Sequence, residues 1–149
     1  KNVTQKLLED GLPVWMGCDV GKQMHRERGL WDAKLFDFAE LYGAKFGMDK
    51  ANRLRYSQTM MTHAMLFTGV DVIDGVPRRW RVENSWGAKK SGEEGFYTMN
   101  DSWYDEHMFE IAAPTSYLND KMKKGLSTTP IVLPAWDPMG SLARDEAAL

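Results

Sequence analysis

The chain has 149 residues, of which 43% are hydrophobic and 27% are charged, with a formal net charge of −2 at pH 7. This length suits one domain with a substantial core, and the small net charge gives no reason to expect a nucleic acid or an anionic membrane surface as a partner. No apolar run approaches the roughly 18 residues that a membrane span needs. The single cysteine excludes an internal disulfide framework and favours a reducing compartment, such as the cytosol.

The start of the chain predicts a helix. Val3, Leu7 and Leu8 fall on one helical face, and Gly11 is placed to end it. The chain begins without a methionine or an apolar leader, so the sequence predicts no secretory signal. Because it opens inside an element, we expect it to be part of a longer protein.

The next segments predict one strand and short helices. The apolar run over 12–18 predicts a buried strand with Pro13 at its start, because proline cannot donate to a central ladder. Residues 19–30 are polar and predict a loop, while 31–42 fit a short helix and an irregular apolar segment equally well. Asp49 is placed to cap a short basic helix over 50–56.

A β-rich block follows. In chain order the prediction is a strand over 60–73, a turn over 74–77, a strand over 79–85, a loop over 86–94, a strand over 95–99, a helix from Asn100 or Asp101 through 106, and a strand over 108–112. In the strand over 79–85, Trp80 and Val82 share one face, while Arg81 and Glu83 share the other. That alternation predicts a strand with one buried side.

The last part of the chain changes character. Residues 115–124 predict a helix whose basic end suits the helix dipole and which Gly125 ends. From 127 onward, prolines recur every four residues among apolar side chains, which predicts an extended arm that lies against protein. The chain is therefore expected to divide into a β-rich unit over 1–126 and an arm over 127–149.

Three histidines are candidates for chemistry. His63 lies within the longest apolar strand, and taken alone it fits best a half-buried ring bonded to a backbone carbonyl. His25 and His107 lie in polar surroundings and are expected at the surface. No histidines and carboxylates have metal-ligand spacing, so the sequence predicts neither a metal site nor another cofactor.

Asn84 is a second candidate. An asparagine before serine and glycine is usually a turn residue, but the predicted hairpin brings it near His63, 84 − 63 = 21 positions earlier. This pair suits a thiol peptidase, because an imidazole lowers the pKa of a nearby thiol and an asparagine amide orients the ring. Trp86 would shield their hydrogen bond from water.

These segments occur in an order that resembles the papain-like cysteine peptidases. The matching motifs are His63-Ala64, Asn84-Ser85-Trp86-Gly87 and Gly95-Phe96-Tyr97, preceded by the Pro13-Val14 strand. Three segments are similar to the bleomycin hydrolase family in particular: 13–22 (PVWMGCDVGK), 61–65 (MTHAM) and 130–140 (PIVLPAWDPMG). The resemblance implies an α+β fold, namely the C-terminal, antiparallel β-barrel-like half of a papain-like peptidase with short helices.

The same resemblance implies a function and an assembly. His63 and Asn84 match the catalytic histidine and asparagine, and Trp86 matches the shielding aromatic. The implied enzyme is an aminopeptidase that cleaves peptides from a free N-terminus, forms homohexameric rings and places its C-terminal tail in the active-site cleft. The nucleophile of the family follows a glutamine in a Gln-x-x-x-x-x-Cys-Trp segment, which this sequence does not contain. We therefore expect a missing N-terminal half to supply both residues.

Other interpretations stay open. The chain would be a non-catalytic peptide-binding or oligomerisation fragment if no partner supplies a nucleophile. Cys18 is expected to be a small buried residue, and a new site made of Cys18 and His63 would require an exposed thiolate. The arm would be only a packing strap if it does not enter a cleft, and its last six residues, 144–149, extend past the usual end of the family tail. An apolar patch is expected where the helical half would pack.

Overall fold

The computed structural model describes residues 1–89 and 92–142, with the side chain of Ser141 excepted. Its helices and strands are α1 (Asn2–Glu9), β1 (Val14–Cys18), β2 (Met24–His25), β3 (Leu30–Trp31), α2 (Phe38–Tyr42), α3 (Lys50–Arg55), β4 (His63–Ile73), β5 (Val76–Glu83), β6 (Phe96–Asn100), α4 (Asp101–His107), β7 (Met108–Ile111) and α5 (Asp120–Leu126). Short 3-10 helices span Thr115–Tyr117 and Pro138–Leu142. None of the helices in these ranges is long and apolar enough to cross a membrane.

The strands form one seven-stranded sheet in the order β2-β3-β6-β5-β4-β1-β7. Neighbouring strands pair antiparallel, except that β3 runs parallel to β6. The sheet is therefore mainly antiparallel, as expected, with one parallel pair near one edge. The parallel pair is possible because the long segment between β3 and β6 acts as a crossover. With its curled half-barrel and short helices, the structure confirms the α+β, papain-like fold class.

The core lies between this sheet and the two helices α1 and α4. Strands β4, β5 and β6 alternate buried and more exposed positions, as the period of two in the sequence predicts. The fully enclosed side chains include Leu7, Val14, Cys18, Trp31, Met65, Phe67, Trp80, Val82, Met99 and Trp103. Burial of each large apolar side chain stabilises the fold by about 1.5–3 kcal/mol.

The expectation that His107 lies at the surface is wrong, because helix α4 buries this residue. Its ring is buried beside Trp103, with ring centroids 5.2 Å apart, because positions 103 and 107 lie on one helical face.

Helix α3 packs its cations on the C-terminal end of α4. Arg53 Nη2 donates to the carbonyl oxygen of Glu106 at 2.8 Å, and Lys50 Nζ donates to that of Asp105 at 2.9 Å. Cations at this end of a helix are favourable to its dipole.

Two segments before β4 differ in how well they were predicted. The segment 19–30 is not only a loop, since it contains β2 and the first residue of β3; strands of two residues are too short to give a periodic signal. The cap at Asp49 is confirmed, because its side chain accepts from the backbone N–H of Asn52 at 2.7 Å. The ambiguous stretch 31–42 contains a short strand end at Trp31 and then helix α2.

The helix predicted over 115–124 is wrong in both bounds. Residues Thr115–Tyr117 form a 3-10 helix, and Leu118 then has an extended backbone. Helix α5 starts after Asn119, whose side chain accepts from the backbone N–H of Met122 at 2.9 Å. Helix α5 is therefore a separate short helix with its own N-cap, and it continues through Gly125.

The C-terminal arm does not bury its apolar side chains within this chain. Ile131, Val132 and Trp136 are 87%, 91% and 82% exposed, so the expectation that the arm lies against protein is not met by the described residues. The 3-10 helix Pro138–Leu142 lies close to α3. Residues 143–149, which include the six beyond the usual family end, lie outside the described residues. The division at 126 and 127 stays a prediction.

Candidate active site

The sheet brings the first residue of β4 and the first residue after β5 together. Leu66 pairs with Glu83, so the chain on either side of this pair carries His63 toward Asn84. His63 Nε2 lies 2.9 Å from Asn84 Oδ1. Because an amide oxygen only accepts, this contact makes Nε2 the donor, and in the neutral ring Nδ1 then carries the lone pair. The alternative in which His63 is bonded only to a backbone carbonyl does not describe this ring.

Asn84 is held by the backbone as well as by His63. Its side chain is 8% exposed, and its backbone N–H donates to the carbonyl oxygen of Gly95 at 3.1 Å. Gly87, three residues after it, has φ of 90°, a left-handed conformation that a glycine adopts without the strain of a side chain. The loop therefore turns away immediately after placing Asn84 and Trp86. The bond to Gly95 was not predicted, although a glycine at a strand start was a signal for a tight backbone approach.

Trp86 covers the histidine–asparagine pair. Its ring stacks on the imidazole of His63 with centroids 5.0 Å apart and planes 28° from parallel. The edge of the same indole meets Tyr97 at 6.2 Å and 85°. An apolar ring in this position excludes water and lowers the local dielectric, which strengthens the hydrogen bond of His63 to Asn84. The structure thus places Asn84 and Trp86 both in contact with the His63 ring.

Cys18 also lies next to His63, but in a different role. The two residues are paired across β1 and β4, and Cys18 Sγ donates to the backbone carbonyl oxygen of His63 at 3.6 Å. The thiol is fully buried, and burial together with the neighbouring Asp19 carboxylate raises its pKa far above the usual range. A site in which His63 activates a Cys18 thiolate is therefore excluded, and the expectation of a small buried residue is confirmed.

The other two histidines lie away from this pair. His25 is half-buried in β2, where Nδ1 accepts from the backbone N–H of Arg28 at 3.4 Å, so its predicted surface position is only partly correct. Burial, with the nearby Arg53 guanidinium next in effect, lowers the pKa of His107 to about 4. Within residues 1–89 and 92–142, no three His, Cys, Asp or Glu side chains are grouped to hold a metal ion.

One cavity is lined by the residue that follows His63. Ala64, the next residue, lines a cavity of about 250 Å³ together with Trp15, Gly17 and Ile111. A larger cavity of about 800 Å³ is lined by Phe46, Arg53 and His107 among others, and His63, Asn84 and Trp86 are not among its lining residues. The smaller cavity is likewise not lined by His63, Asn84 or Trp86, so neither of these two cavities contains the candidate catalytic pair.

Many known proteins are similar to this chain. The model of the Peptidase C1-like family matches residues 1–140. The chain is 43% identical to aminopeptidase C of Listeria innocua over 143 residues and 42% identical to bleomycin hydrolase of Homo sapiens over 147 residues, covering 96% of this chain and 32% of each relative. The solved structure of PepW from Lactobacillus rhamnosis matches with a TM-score of 0.87 at 40% identity, over 95% of this chain and 32% of that one.

The sheet topology and these matches show that the chain has a papain-like cysteine peptidase fold. The chain belongs to the Peptidase C1-like family and is similar to the C-terminal portion of aminopeptidase C and bleomycin hydrolase. It spans about a third of the length of the relatives that it matches, 32% in each case cited.

Proposed function

We propose that this chain supplies the histidine and asparagine of a cysteine aminopeptidase that removes residues from the free N-terminus of peptides. The observation that carries the proposal is the 2.9 Å contact between His63 Nε2 and Asn84 Oδ1 beneath the Trp86 ring. The reaction class is supported by the names of the relatives, aminopeptidase C and bleomycin hydrolase. Neither a metal ion nor an organic cofactor has a part in this chemistry.

The geometry suits a base that works through Nδ1. With Nε2–H donating to Asn84, the Nδ1 lone pair of His63 takes the proton of an incoming cysteine thiol and leaves a thiolate beside an imidazolium. The thiolate attacks the peptide carbonyl carbon, and the imidazolium returns its proton to the leaving amine. His63 next takes a proton from water, which hydrolyses the thioester and regenerates the thiol.

The nucleophile has to come from outside these 149 residues. Cys18 is the single cysteine of the sequence and is fully buried with a raised pKa. We propose that an N-terminal half, in the same native polypeptide or in a partner chain, supplies the cysteine and the oxyanion-hole glutamine. The exposed apolar side chains of the arm, Ile131 and Trp136 among them, suit a surface that another segment covers.

Further parts of the proposal rest on the family resemblance. The enzyme is proposed to form a homohexamer in the cytosol, and the arm over 127–149 is proposed to enter the active-site cleft. A carboxylate at the end of such an arm would pair with the α-ammonium group of a peptide and so select free N-termini. Removal of residues 143–149 tests this point, because an endopeptidase activity would then replace the aminopeptidase activity.

The deciding experiment is His63→Ala in the native polypeptide that contains residues 1–149, assayed with an N-terminally free peptide. We expect kcat/KM to fall by about 10³- to 10⁶-fold, because the base is lost. Asn84→Ala should cost about one to two orders of magnitude less, because orientation suffers but the base survives. His25→Ala, a histidine outside the site, is the matched control and should keep its activity. Full turnover in His63→Ala would refute the catalytic assignment.

The buried thiol also favours a second candidate, a non-catalytic peptide-binding or oligomerisation fragment. The intact mass of the native polypeptide and peptide mapping of any partner separate the two candidates. A native chain or partner that contains a cysteine labelled by a thiol-reactive peptide supports the aminopeptidase. A native mass equal to these 149 residues, with no partner and no labelling, supports the fragment.

A further inference from the structure

A cation contacts the tryptophan that covers the candidate catalytic pair. The guanidinium carbon of Arg26 lies 4.9 Å from the ring centroid of Trp86. The same ring stacks on His63 and meets Tyr97 with its edge. Two of these three contacts come from the central strands of the sheet, whereas Arg26 comes from the β2–β3 hairpin. The indole is therefore held between two separate parts of the fold.

The backbone fixes the hairpin against the loop that carries Trp86. The carbonyl oxygen of Arg26 accepts from the backbone N–H groups of Gly29 at 3.1 Å and Gly92 at 3.2 Å, and Thr98 N–H donates to the carbonyl oxygen of Gly29 at 2.8 Å. A Cβ atom on Gly29 would lie 2.6 Å from Gly92 Cα, so the hairpin turn and the loop touch without room for a side chain. The backbone of Arg26 is thus held next to the loop that carries Trp86.

Among the described residues, the guanidinium of Arg26 contacts a ring rather than a carboxylate. No ion pair involves it within residues 1–89 and 92–142, and its side chain is otherwise open to solvent. Tryptophan is the aromatic ring that attracts a cation most strongly, and a planar guanidinium also stacks on it. The contact with Trp86 is therefore the interaction that orients this side chain.

We propose that Arg26 is a positioning residue that holds the Trp86 indole against His63 and so keeps water away from the hydrogen bond between His63 and Asn84. The proposal rests on the proposed function, because shielding affects turnover only if His63 acts in catalysis. A cation–π contact at an exposed site corresponds to about a 2- to 5-fold effect on an equilibrium. The role is a modest one, and it differs in kind from that of the residues that touch the reacting atoms.

The first test compares Arg26→Ala with Arg28→Ala in the native polypeptide that contains this chain. Both variants remove one cation from the same hairpin, but the Arg28 side chain makes no ring contact with Trp86. We expect Arg26→Ala to lower kcat by about 2- to 5-fold with KM unchanged, and Arg28→Ala to leave both unchanged. Arg26→Lys, which keeps the charge, should recover part of the loss. Equal effects of the two alanine variants would overturn the proposal.

A double-mutant cycle shows whether Arg26 acts through Trp86. In a Trp86→Ala background, Arg26→Ala should cause no additional loss of kcat, because the ring that it holds is gone. A loss that persists in this background would overturn the proposal, since the arginine would then act by another route. Additive effects of Arg26→Ala and Trp86→Ala on kcat would likewise overturn the proposal.

A readout that needs no turnover is the exchange of the His63 Nε2 proton with water, measured by NMR in the same variants. Weaker shielding should speed this exchange by about 2- to 5-fold in Arg26→Ala and not in Arg28→Ala. An unchanged rate overturns the role of Arg26 even if His63→Ala abolishes turnover, in which case the proposed function stands. Full turnover in His63→Ala overturns the proposed function, and the positioning role falls with it.

Discussion

The sheet and the C-terminal arm are both rich in apolar residues, yet they bury them to opposite extents. Trp80 in β5 is fully enclosed, whereas Trp136 in the arm is 82% exposed. The strands find partners through backbone hydrogen bonds and are covered by α1 and α4, but a proline-rich arm cannot join a ladder. The pair of His63 and Asn84 therefore depends on contacts within the chain, whereas the apolar surface of the arm finds no cover among the described residues.

The largest expected effect tests the packed side of this comparison. Trp80→Ala should lower the free energy of unfolding by about 3–5 kcal/mol, because it opens a large cavity in a close-packed core. Its indole N–H also donates to Asp101 at 3.1 Å, and that bond would be lost. Urea-induced unfolding followed by circular dichroism measures the change, with Trp80→Phe as a milder variant if the alanine protein does not fold. A loss below about 1 kcal/mol would contradict the assigned core.

An intermediate effect should appear as a pH dependence of stability, and it comes from His107 in the same packed part. Burial is the largest cause that lowers the pKa of His107 from 6.5 to about 4. The positive charges of Arg53, Lys50 and Lys22 also lower this pKa, and the Glu106 carboxylate acts in the opposite direction. Between these values the unfolded state binds more protons, so the free energy of unfolding falls as the pH falls from 6.5 toward 4. His107→Gln should flatten that slope in urea titrations across this window. Identical slopes for both proteins would show that His107 is not held neutral by the fold.

The smallest effect belongs to the arm. Trp136→Ala should change the free energy of unfolding of this chain by no more than about 0.5 kcal/mol, because the side chain is already in water when the chain is folded. It is the matched control for Trp80→Ala, since both remove the same atoms. A loss comparable with that of Trp80→Ala would break the comparison and place the arm in the core of this chain.

The contact between His63 and Asn84 was predictable because strands with one buried face have a regular period. A long, weakly alternating apolar run around Met65 and a clear alternation around Trp80 predicted two strands, and the hairpin between them brings His63 and Asn84 together. The roles of these residues came from the family resemblance, because a histidine beside an asparagine is by itself also compatible with a purely structural contact.

Two other features were not predicted, the first because polar neighbours masked a local signal and the second because the partners lie far apart in the sequence. His107 has acidic neighbours at 105 and 106, although its spacing of four from Trp103 was a signal for the buried face of a helix. Arg26 and Trp86 are 86 − 26 = 60 residues apart and both lie in polar loops, so no periodic pattern connects them. Their contact exists only because two glycines let the loops touch.

The Cys18 thiol is protected from thiol reagents in the folded chain. Its sulfur is fully enclosed, donates to the backbone of His63 and is kept protonated by burial, so an alkylating agent meets neither an accessible atom nor a thiolate. If an N-terminal half joins this chain as proposed, any fast-reacting thiol of the assembly belongs to that half. Label bound to the assembly would then report on the cysteines of the other segment, with no background from Cys18.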